Sequence, residues 1–246
     1  NKDMAFFSIC IPNYNYSNFI KSTITSIINQ KFKDVEICVA DNASTDDSVK
    51  VVKKLQQKYN FIKLRINSCN VGLYENLKRA SNMATSPWMI LLSSDDIANK
   101  DALKAYYEII KNIKNPEESI LCSLADCIDK DSNIINSNKI NKFLYKESTI
   151  DKKLSKLLQM NVYKIDSDLL LKNSLISFRN PLHFATTAYS KKLHDKIEGY
   201  SWGGIMGPDK AFVYNLLSVS KKVYLLDKPL FGYRMHESNN LSSQSN

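Results

Sequence analysis

The stretch LLSSDDIA, residues 91–98, decides the fold prediction because it places two adjacent carboxylates at the end of a short apolar run. The run extends from Trp88 to Leu92 and is followed at once by four polar residues, Ser93, Ser94, Asp95 and Asp96. In α/β proteins, the loops that follow buried parallel strands hold metals and phosphates. The sequence therefore predicts a buried strand that opens into an acidic binding loop.

Two apolar runs upstream end in similar polar loops. Cys10 and Ile11 lead into PNYN, residues 12–15, and Val39 and Ala40 lead into DNAS, residues 41–44. Because the carboxyl ends of parallel strands meet at one edge of a sheet, we expect the three loops to lie together. Asp41 taken alone is equally well explained as a turn or cap residue.

Alternating strand-like and helix-like segments predict an α/β fold with a mainly parallel central sheet flanked by helices. The strand-like runs are 6–11, 35–40, 61–66, 88–92, 119–128, 183–189, 223–226 and 230–233. Helices are predicted from near Ser17, from Thr45 as N-cap, and over 72–84, 101–113, 154–160 and 209–219. The polar run 129–141 is predicted to be an excursion loop that separates a first half, 1–128, from a second half, 129–246.

Composition narrows the classes of protein. A chain of 246 residues with 43% hydrophobic content can bury a substantial core, which excludes a disordered or fibrous protein. The formal charge of +9 favours an anionic partner, but the lysines are scattered without interleaved aromatic residues, so nucleic acid is not the expected partner. Five cysteines without CxxC spacing, mostly inside apolar runs, indicate reduced thiols and a cytoplasmic location.

Targeting signals are not evident in this sequence. No apolar segment approaches the roughly 20 residues that span a bilayer, and no signal-peptide pattern is present. The chain begins at Asn1 rather than at a methionine, so we expect that it could be a piece of a longer protein.

Two common nucleotide-binding signatures are missing. The sequence contains neither GxGxxG after the first strand nor GxxxxGK[ST], which removes the dehydrogenase and P-loop classes. With only 6 glycines, phosphate is better held by a divalent cation, Mg²⁺ or Mn²⁺, than by a glycine-rich backbone cradle. The pair Asp95 and Asp96 would repel each other unless a cation or hydrogen bonds offset the charge, and the alternative is an acidic pair that initiates the following helix.

Four ordered strings resemble the nucleotide-binding half of family 2 glycosyltransferases, which have the GT-A fold. They are SICIPNYNYSNFIKSTITSIINQ, EICVADNASTDDS, NVGLYENLKRA and LLSSDD, within about residues 6–128. A looser resemblance resumes at NPLHFATTAYSKKLHDKIEGY, GPDKAF and FGYRMHESNNLS. The resemblance implies a GT-A domain whose second half binds the acceptor.

The resemblance also implies roles for individual residues. Asp41 would accept a hydrogen bond from the nucleobase, and Asp95 would ligate the metal on the diphosphate, with Asp96 and His236 as further metal ligands. The family's metal motif is Asp-x-Asp, and Ser93 stands here in the first acidic place. The implied nucleotide-binding set is Pro12, Asn13, Tyr14, Asn15, Asp41, Asn42, Asn76, Ser94 and Asp95.

In the second half, the resemblance implies that Asp209 is the base that deprotonates the acceptor. The alternative is ordinary helix initiation, since Pro208 followed by an acid is common at a first helical turn. The resemblance also implies contacts with the acceptor or the diphosphate for His183, Trp202 and Arg234. The alternative for each of these residues is a structural role. His194 is expected on a surface helix without a role.

The implied reaction is transfer of a sugar from a nucleotide diphosphosugar to a hydroxyl of a glycan or lipid-linked acceptor, with inversion. A UDP-sugar is the preferred donor because a carboxylate at Asp41 can accept the N3 proton of uracil, although thymine offers the same edge. The charge of +9 would suit work beside an anionic membrane. Two alternatives stay open: a sugar-1-phosphate nucleotidyltransferase, which should carry a Gly-rich loop after the first strand, and a non-catalytic glycan-binding protein, which Ser93 and Pro208 favour.

Overall fold

The computed structural model describes residues 4–199 and 207–235, which form one mixed sheet covered by helices. The strands are β1 (Phe7–Asn13), β2 (Val35–Asp41), β3 (Ile62–Ile66), β4 (Trp88–Leu91), β5 (Ile97–Ala98), β6 (Ser119–Ile128), β7 (Ile134–Ser137), β8 (Thr149–Ile150), β9 (Val162–Asp166), β10 (Ala188–Ser190) and β11 (Lys222–Arg234). The helices are α1 (Ile20–Ile28), α2 (Ser48–Gln56), α3 (Leu73–Asn82), α4 (Ala102–Asn112), α5 (Lys152–Leu158), α6 (Ser167–Ser177), α7 (Lys191–Lys196) and α8 (Pro208–Val219).

The sheet joins the two halves of the chain. Its strand order is β3-β2-β1-β4-β10-β6-β11-β9-β8. Neighbouring strands among the first four are parallel, as are β6 and β11, whereas β10 is antiparallel to both β4 and β6. The predicted α/β class is confirmed, and the antiparallel pairs come from strands of the second half. Because β10 lies between β4 and β6, loops from both halves meet at the same edge.

Two apolar layers hold this sheet, one for each face. Side chains alternate along β1, so that Ile9 packs with α1, α2 and α4, while Cys10 packs with α3, α6 and α8. All seven residues of β1 and of β2 are buried, as expected for central strands covered on both faces. This burial fixes where the polar loops after β1 and β2 emerge.

Some predicted boundaries were wrong for local reasons. The helix predicted from near Ser17 begins at Ile20, after a turn in which the amides of Phe19 and Ile20 donate to the Tyr16 carbonyl. Thr45 is not the N-cap of α2, since Asp47 takes that position; the Thr45 amide donates to the Asn15 side chain. Most other predicted helix and strand bounds agree with the structure to within a few residues. The run 183–189, predicted as a strand, forms a 3₁₀ turn over Phe184–Thr186 and then the short strand β10, and α6, β5, β8 and β9 were not predicted.

The predicted excursion loop 129–141 contains a strand. Residues of β7 pair antiparallel with the end of β6, across a turn in which Asp129 Oδ1 accepts from the amides of Asp131 and Asn133. All four β7 residues are exposed, so their burial pattern gave no strand signal. The runs predicted as two strands over 223–226 and 230–233 are one strand, β11, with register shifts around Pro229.

The expected surface position of His194 was also wrong. His194 is buried against β10, where its Nδ1 lies 2.9 Å from the Tyr189 hydroxyl. Gly199 makes this packing fit, since a Cβ at that position would lie 2.9 Å from His194 Nε2. Gly199 also has a φ of +73°, a conformation that other residues rarely adopt.

The cysteines and the helix lengths bear on two features considered in the sequence. All five cysteines are free thiols, and Cys10, Cys38 and Cys122 are buried. Within residues 4–199 and 207–235, no helix has the length and apolar character that crossing a bilayer requires.

We predict that acid weakens the fold through His194. Burial, followed by the nearby Lys191 charge, lowers its pKa to about 4, whereas an unfolded histidine titrates near 6.5. As the pH falls from about 6.5 towards 4, the unfolded chain takes up a proton that the folded chain does not. His194 should therefore contribute a loss of roughly 2 kcal/mol in the free energy of unfolding across this range. Urea unfolding of wild type and His194→Gln at several pH values measures it, and parallel pH curves for the two proteins would contradict the prediction.

Candidate functional site

The loop after β2 is built around the buried carboxylate of Asp41. Its Oδ1 accepts hydrogen bonds from Asn13 Nδ2 at 2.8 Å and from the Ser44 hydroxyl at 2.7 Å, and its Oδ2 accepts from the Ser44 amide at 2.9 Å. Ala43 has a φ of 59°, which lets the chain turn tightly here. Asp41 thus couples the loops after β1 and β2 and fixes the orientation of the Asn13 amide.

An asparagine network ties α3 to the same edge of the sheet. Asn42 Oδ1 accepts from Asn67 Nδ2 at 3.1 Å and from the Val71 amide at 2.9 Å. Asn67 Nδ2 also donates to Asn76 Oδ1 at 2.8 Å, and Asn76 Nδ2 donates to the Ala40 carbonyl at 2.8 Å. The amides of Asn42 and Asn76, predicted to bind nucleotide, therefore hold the pocket wall in place as well.

The loop after β1 presents two different faces. Asn15 Oδ1 accepts from the amides of Thr45 at 2.8 Å and Asp46 at 3.3 Å, so this side chain braces the neighbouring loop. Tyr14 is 42% exposed, whereas Pro12 is buried. The exposed Tyr14 ring is therefore accessible to a ligand.

The acidic loop after β4 is held by β11. Asp95 and Asp96 are only 6% and 1% exposed. The Arg234 amide donates to Asp96 Oδ1 at 3.0 Å, and Arg234 Nε donates to the Asp95 carbonyl at 2.7 Å. The two carboxylates thus occupy a fixed position between the first and the second half of the chain.

The guanidinium of Arg234 is engaged on all sides. Its Nη1 donates to the carbonyls of Asp129 and Lys130 at 2.7 and 3.1 Å, its Nη2 donates to the Ser132 hydroxyl at 3.0 Å, and its carbon lies 4.9 Å from the Phe19 ring centroid. The residue is 1% exposed. The expected contact with diphosphate or acceptor is therefore not what this geometry favours, because these hydrogen bonds make Arg234 a positioning residue for the acidic loop.

The acidic pair carries an electrostatic cost. Burial, followed by the charge of Asp95, raises the pKa of Asp96 well above its usual range. Within the described part of the chain, Asp96 Oδ2 has no hydrogen-bond partner. Burial and the same two carboxylates raise the pKa of Tyr16 to about 12. A positive charge bound beside this pair would offset the repulsion.

The donor set fits a hard divalent cation that also binds phosphate. Among the described residues, no group of three or more His, Cys, Asp or Glu side chains forms a metal cage. Mg²⁺ commonly uses one or two carboxylates and completes its shell with substrate phosphates and water, and Asp95 and Asp96 can supply such carboxylates. His236, predicted as a third ligand, lies outside the described residues, as does Trp202.

A cavity of about 490 Å³ opens over these loops. Seven of the nine predicted nucleotide-binding residues line it, namely Pro12, Asn13, Tyr14, Asn42, Asn76, Ser94 and Asp95. Asn15 and Asp41 are not among the lining residues and act through hydrogen bonds to their neighbours. The lining also includes residues that the sequence did not single out, namely Tyr16, Asn70, Gly72, Leu73 and Tyr233.

A second cavity of about 650 Å³ adjoins the first. Ser93, Asp209 and Tyr233 line both cavities. Asp209 is exposed in the first turn of α8. The predicted base thus lies on the wall that the two cavities share.

His183 lines the second cavity, where it contacts Tyr233 edge to face with ring centroids 5.1 Å apart. Burial lowers the pKa of His183 to about 4, so the ring is neutral at pH 7. Its carbonyl accepts from the hydroxyls of Thr186 and Thr187 at 3.0 and 2.9 Å, which fixes the turn that carries it. Tyr233 was missed in the sequence, although it stands directly before Arg234 in the tail that carries the resemblance.

Comparison with known proteins agrees with this arrangement. The family model described as Glycosyl transferase family 2 matches residues 8–177. The chain belongs to this family. Abequosyltransferase RfbV of Salmonella typhimurium is 39% identical over 99 residues, which are 39% of this chain and 30% of RfbV. The poly(ribitol-phosphate) beta-glucosyltransferase of Bacillus spizizenii is 29% identical over 184 residues, which are 72% of this chain and 27% of that enzyme.

Among solved structures, this family 2 glycosyltransferase is similar to S. aureus TarS 1-349 in complex with UDP-GlcNAc. The TM-score is 0.72 at 20% identity, with 98% of this chain and 62% of that chain covered. The likeness confirms the predicted GT-A fold. The present chain spans less than two thirds of the length of each of these proteins.

We predict that Arg234 stabilises this family 2 domain by fixing the acidic loop. Arg234→Met should lower the free energy of unfolding by about 3 kcal/mol, since buried hydrogen bonds to a charged group are lost and their acceptors are left unpaired. Urea unfolding measures the change, with Arg65→Met, an exposed arginine on β3, as the matched control. Equal stability of the two variants would refute this role.

Proposed function

We propose that the protein is an inverting glycosyltransferase that moves a sugar from a UDP-sugar to a hydroxyl of a glycan or lipid-linked acceptor on the cytoplasmic side of a membrane. The observation that carries the proposal is the position of Asp209 on the wall shared by the two cavities. The cavity beside the acidic loop takes the donor, and the adjoining cavity takes the acceptor. A base at their boundary can reach an acceptor hydroxyl while that hydroxyl faces the anomeric carbon.

A UDP-sugar is proposed as the donor on two grounds. Asn13 lines the cavity with its amide oriented by Asp41, and an amide oxygen in this place can accept the N3 proton of uracil. TarS, which shares the fold, was crystallised with UDP-GlcNAc and with UDP. The exposed Tyr14 ring provides a stacking surface for the base.

In the proposed reaction, Asp209 accepts the proton of the acceptor hydroxyl as its oxygen forms a bond to the anomeric carbon. The bond from that carbon to the diphosphate breaks at the same time, and UDP leaves with the electron pair. Attack from the face opposite the leaving group inverts the anomeric configuration. Asp95, with Asp96 behind it, would hold the divalent cation, which when bound offsets the negative charge that develops on the diphosphate.

Arg234 and His183 have supporting parts in this proposal. Arg234 holds the Asp95 carbonyl and the Asp96 carboxylate in place, so the donor end of the site is set before a ligand binds. His183 is neutral and lines the acceptor cavity, so it can hydrogen-bond a sugar hydroxyl without adding charge beside Asp209. Tyr233, which contacts His183, lies between donor and acceptor.

We predict that Asp209→Asn lowers turnover at least 100-fold, because a positioned base typically contributes about 10² to 10⁴ in rate. The affinity for UDP should stay within about twofold of wild type, since the change lies outside the acidic loop. UDP release in the presence of candidate acceptors measures turnover, and calorimetry measures affinity. Asp168→Asn, an exposed aspartate in the first turn of α6, is the matched control.

Unchanged turnover in Asp209→Asn would remove this residue from the mechanism. Release of pyrophosphate from UTP and a sugar 1-phosphate would instead indicate a nucleotidyltransferase. UDP-sugar binding without turnover over a panel of donors and acceptors would indicate a glycan-binding protein that has lost the chemistry.

We predict that Asp95→Asn weakens UDP binding in the presence of Mn²⁺ by about tenfold or more, because one charge-assisted metal ligand is lost. Without Mn²⁺, the two proteins should bind UDP alike. Calorimetry with and without the metal separates the effects. A variant that retains the full Mn²⁺ enhancement would show that the cation binds elsewhere.

A further inference from the structure

The lining of the cavity proposed for the acceptor carries charges of both signs. Asp96 and Asp209 are its acidic residues, and Asp209 also lines the donor cavity. Two cations, Lys139 and Arg179, lie on the lining together with a group of asparagines, Asn138, Asn141 and Asn180. Such a distribution favours a ligand that carries both neutral hydroxyls and a negative group.

The two cations have fixed backbones and uncommitted side chains. The Arg179 amide donates to the Ser174 carbonyl at 3.1 Å, and its carbonyl accepts from the Tyr214 hydroxyl at 3.1 Å, so α6 and α8 both hold this residue. Within residues 4–199 and 207–235, neither the guanidinium of Arg179 nor the ammonium of Lys139 has an acidic partner within 4 Å. Both side chains are exposed and therefore accessible to a ligand.

The segment that carries Lys139 is also anchored. The Asn138 amide donates to the Ala125 carbonyl of β6 at 3.0 Å. Two residues after Lys139, Asn141 Oδ1 accepts from the amides of Phe143 and Leu144, each at 3.1 Å, and caps the next turn. Lys139 is thus displayed on a defined edge of the cavity.

We propose that Arg179 and Lys139 form an oxyanion subsite, so that the acceptor is a saccharide bearing a phosphate or a similar anionic group. The proposal rests on the function proposed for this cavity and specifies its acceptor class. An arginine binds two oxygens of a phosphate through its planar fork, while a lysine adds a point charge. Because Asp209 lines the same cavity, an anion bound there would let a sugar hydroxyl of the same molecule approach Asp209.

The test uses glycerol 3-phosphate as the anionic probe and glycerol as its neutral counterpart, with UDP and Mg²⁺ present to fill the donor cavity. Saturation-transfer NMR titrations measure the binding of each probe. Wild type should bind glycerol 3-phosphate and not glycerol. Arg179→Gln and Lys139→Gln should each weaken binding about tenfold, and added salt should weaken it in wild type.

Two exposed cations outside both cavities provide matched controls, Arg65→Gln and Lys104→Gln, which should bind the probe as wild type does. Equal binding by Arg179→Gln and Arg65→Gln, or equal binding of glycerol and glycerol 3-phosphate, would overturn the subsite. Failure of wild type to bind the anionic probe would overturn it as well. A loss of UDP binding or of turnover that leaves these contrasts intact would count against the proposed function alone.

A second arm distinguishes the source of the phosphate. Polyprenyl phosphate in phosphatidylcholine vesicles is offered to wild type, Arg179→Gln and Arg65→Gln, and vesicle-bound protein is measured by flotation. Retention that depends on Arg179 supports the subsite with a lipid-linked acceptor. Binding of glycerol 3-phosphate without vesicle retention supports it with a phosphate within the saccharide.

Discussion

The hydrogen bonds of one buried arginine set the position of everything else in this site. Arg234 ends β11 and binds the acidic loop after β4 on one side and the turn after β6 on the other. Burying a guanidinium is costly unless its donors are satisfied, and here three backbone carbonyls and the Ser132 hydroxyl accept from it. The arrangement is therefore stable only when strands from both halves of the chain are in register.

The consequence is an acidic pair that is fixed in position at the cost of burying two neighbouring carboxylates. Asp95 and Asp96 are buried next to each other, and the pKa of Asp96 is raised by this burial and by its neighbour. The folded protein keeps this acidic pair near tyrosine hydroxyls and away from water. A cation that accompanies a phosphate ligand would therefore offset the negative charge of the pair. The cavity over the pair and the cavity beside it share Asp209, which links charge stabilisation to proton removal.

The sequence predicted the parts of the molecule whose signals are local. Apolar runs that end in PNYN, DNAS and SSDD revealed strands and their loops, because buried parallel strands are nearly continuous in apolar residues. Those loops do meet at one edge, and most of the residues expected to bind nucleotide line one cavity. Asp209 was found through its place before a helix, together with the family resemblance.

Other features depend on contacts between distant segments and had no local signal. Arg234 looked like a ligand of phosphate because it is charged and near the loops, yet its guanidinium is used within the protein. His194 looked exposed because its sequence neighbours are charged, but its own side of the short helix α7 faces β10. Arg179 and Lys139 stand in unremarkable polar stretches, and only the fold brings them to the same cavity.

The central claim is that donor and acceptor meet at Asp209, with the donor's diphosphate held at the acidic loop. A crystal structure of the protein with Mn²⁺ and a non-hydrolysable UDP-sugar tests this directly. The account predicts the diphosphate and the metal beside Asp95, the uracil near Asn13 and Asp41, and the anomeric carbon facing Asp209. A diphosphate bound elsewhere, or a sugar that points away from the second cavity, would contradict it.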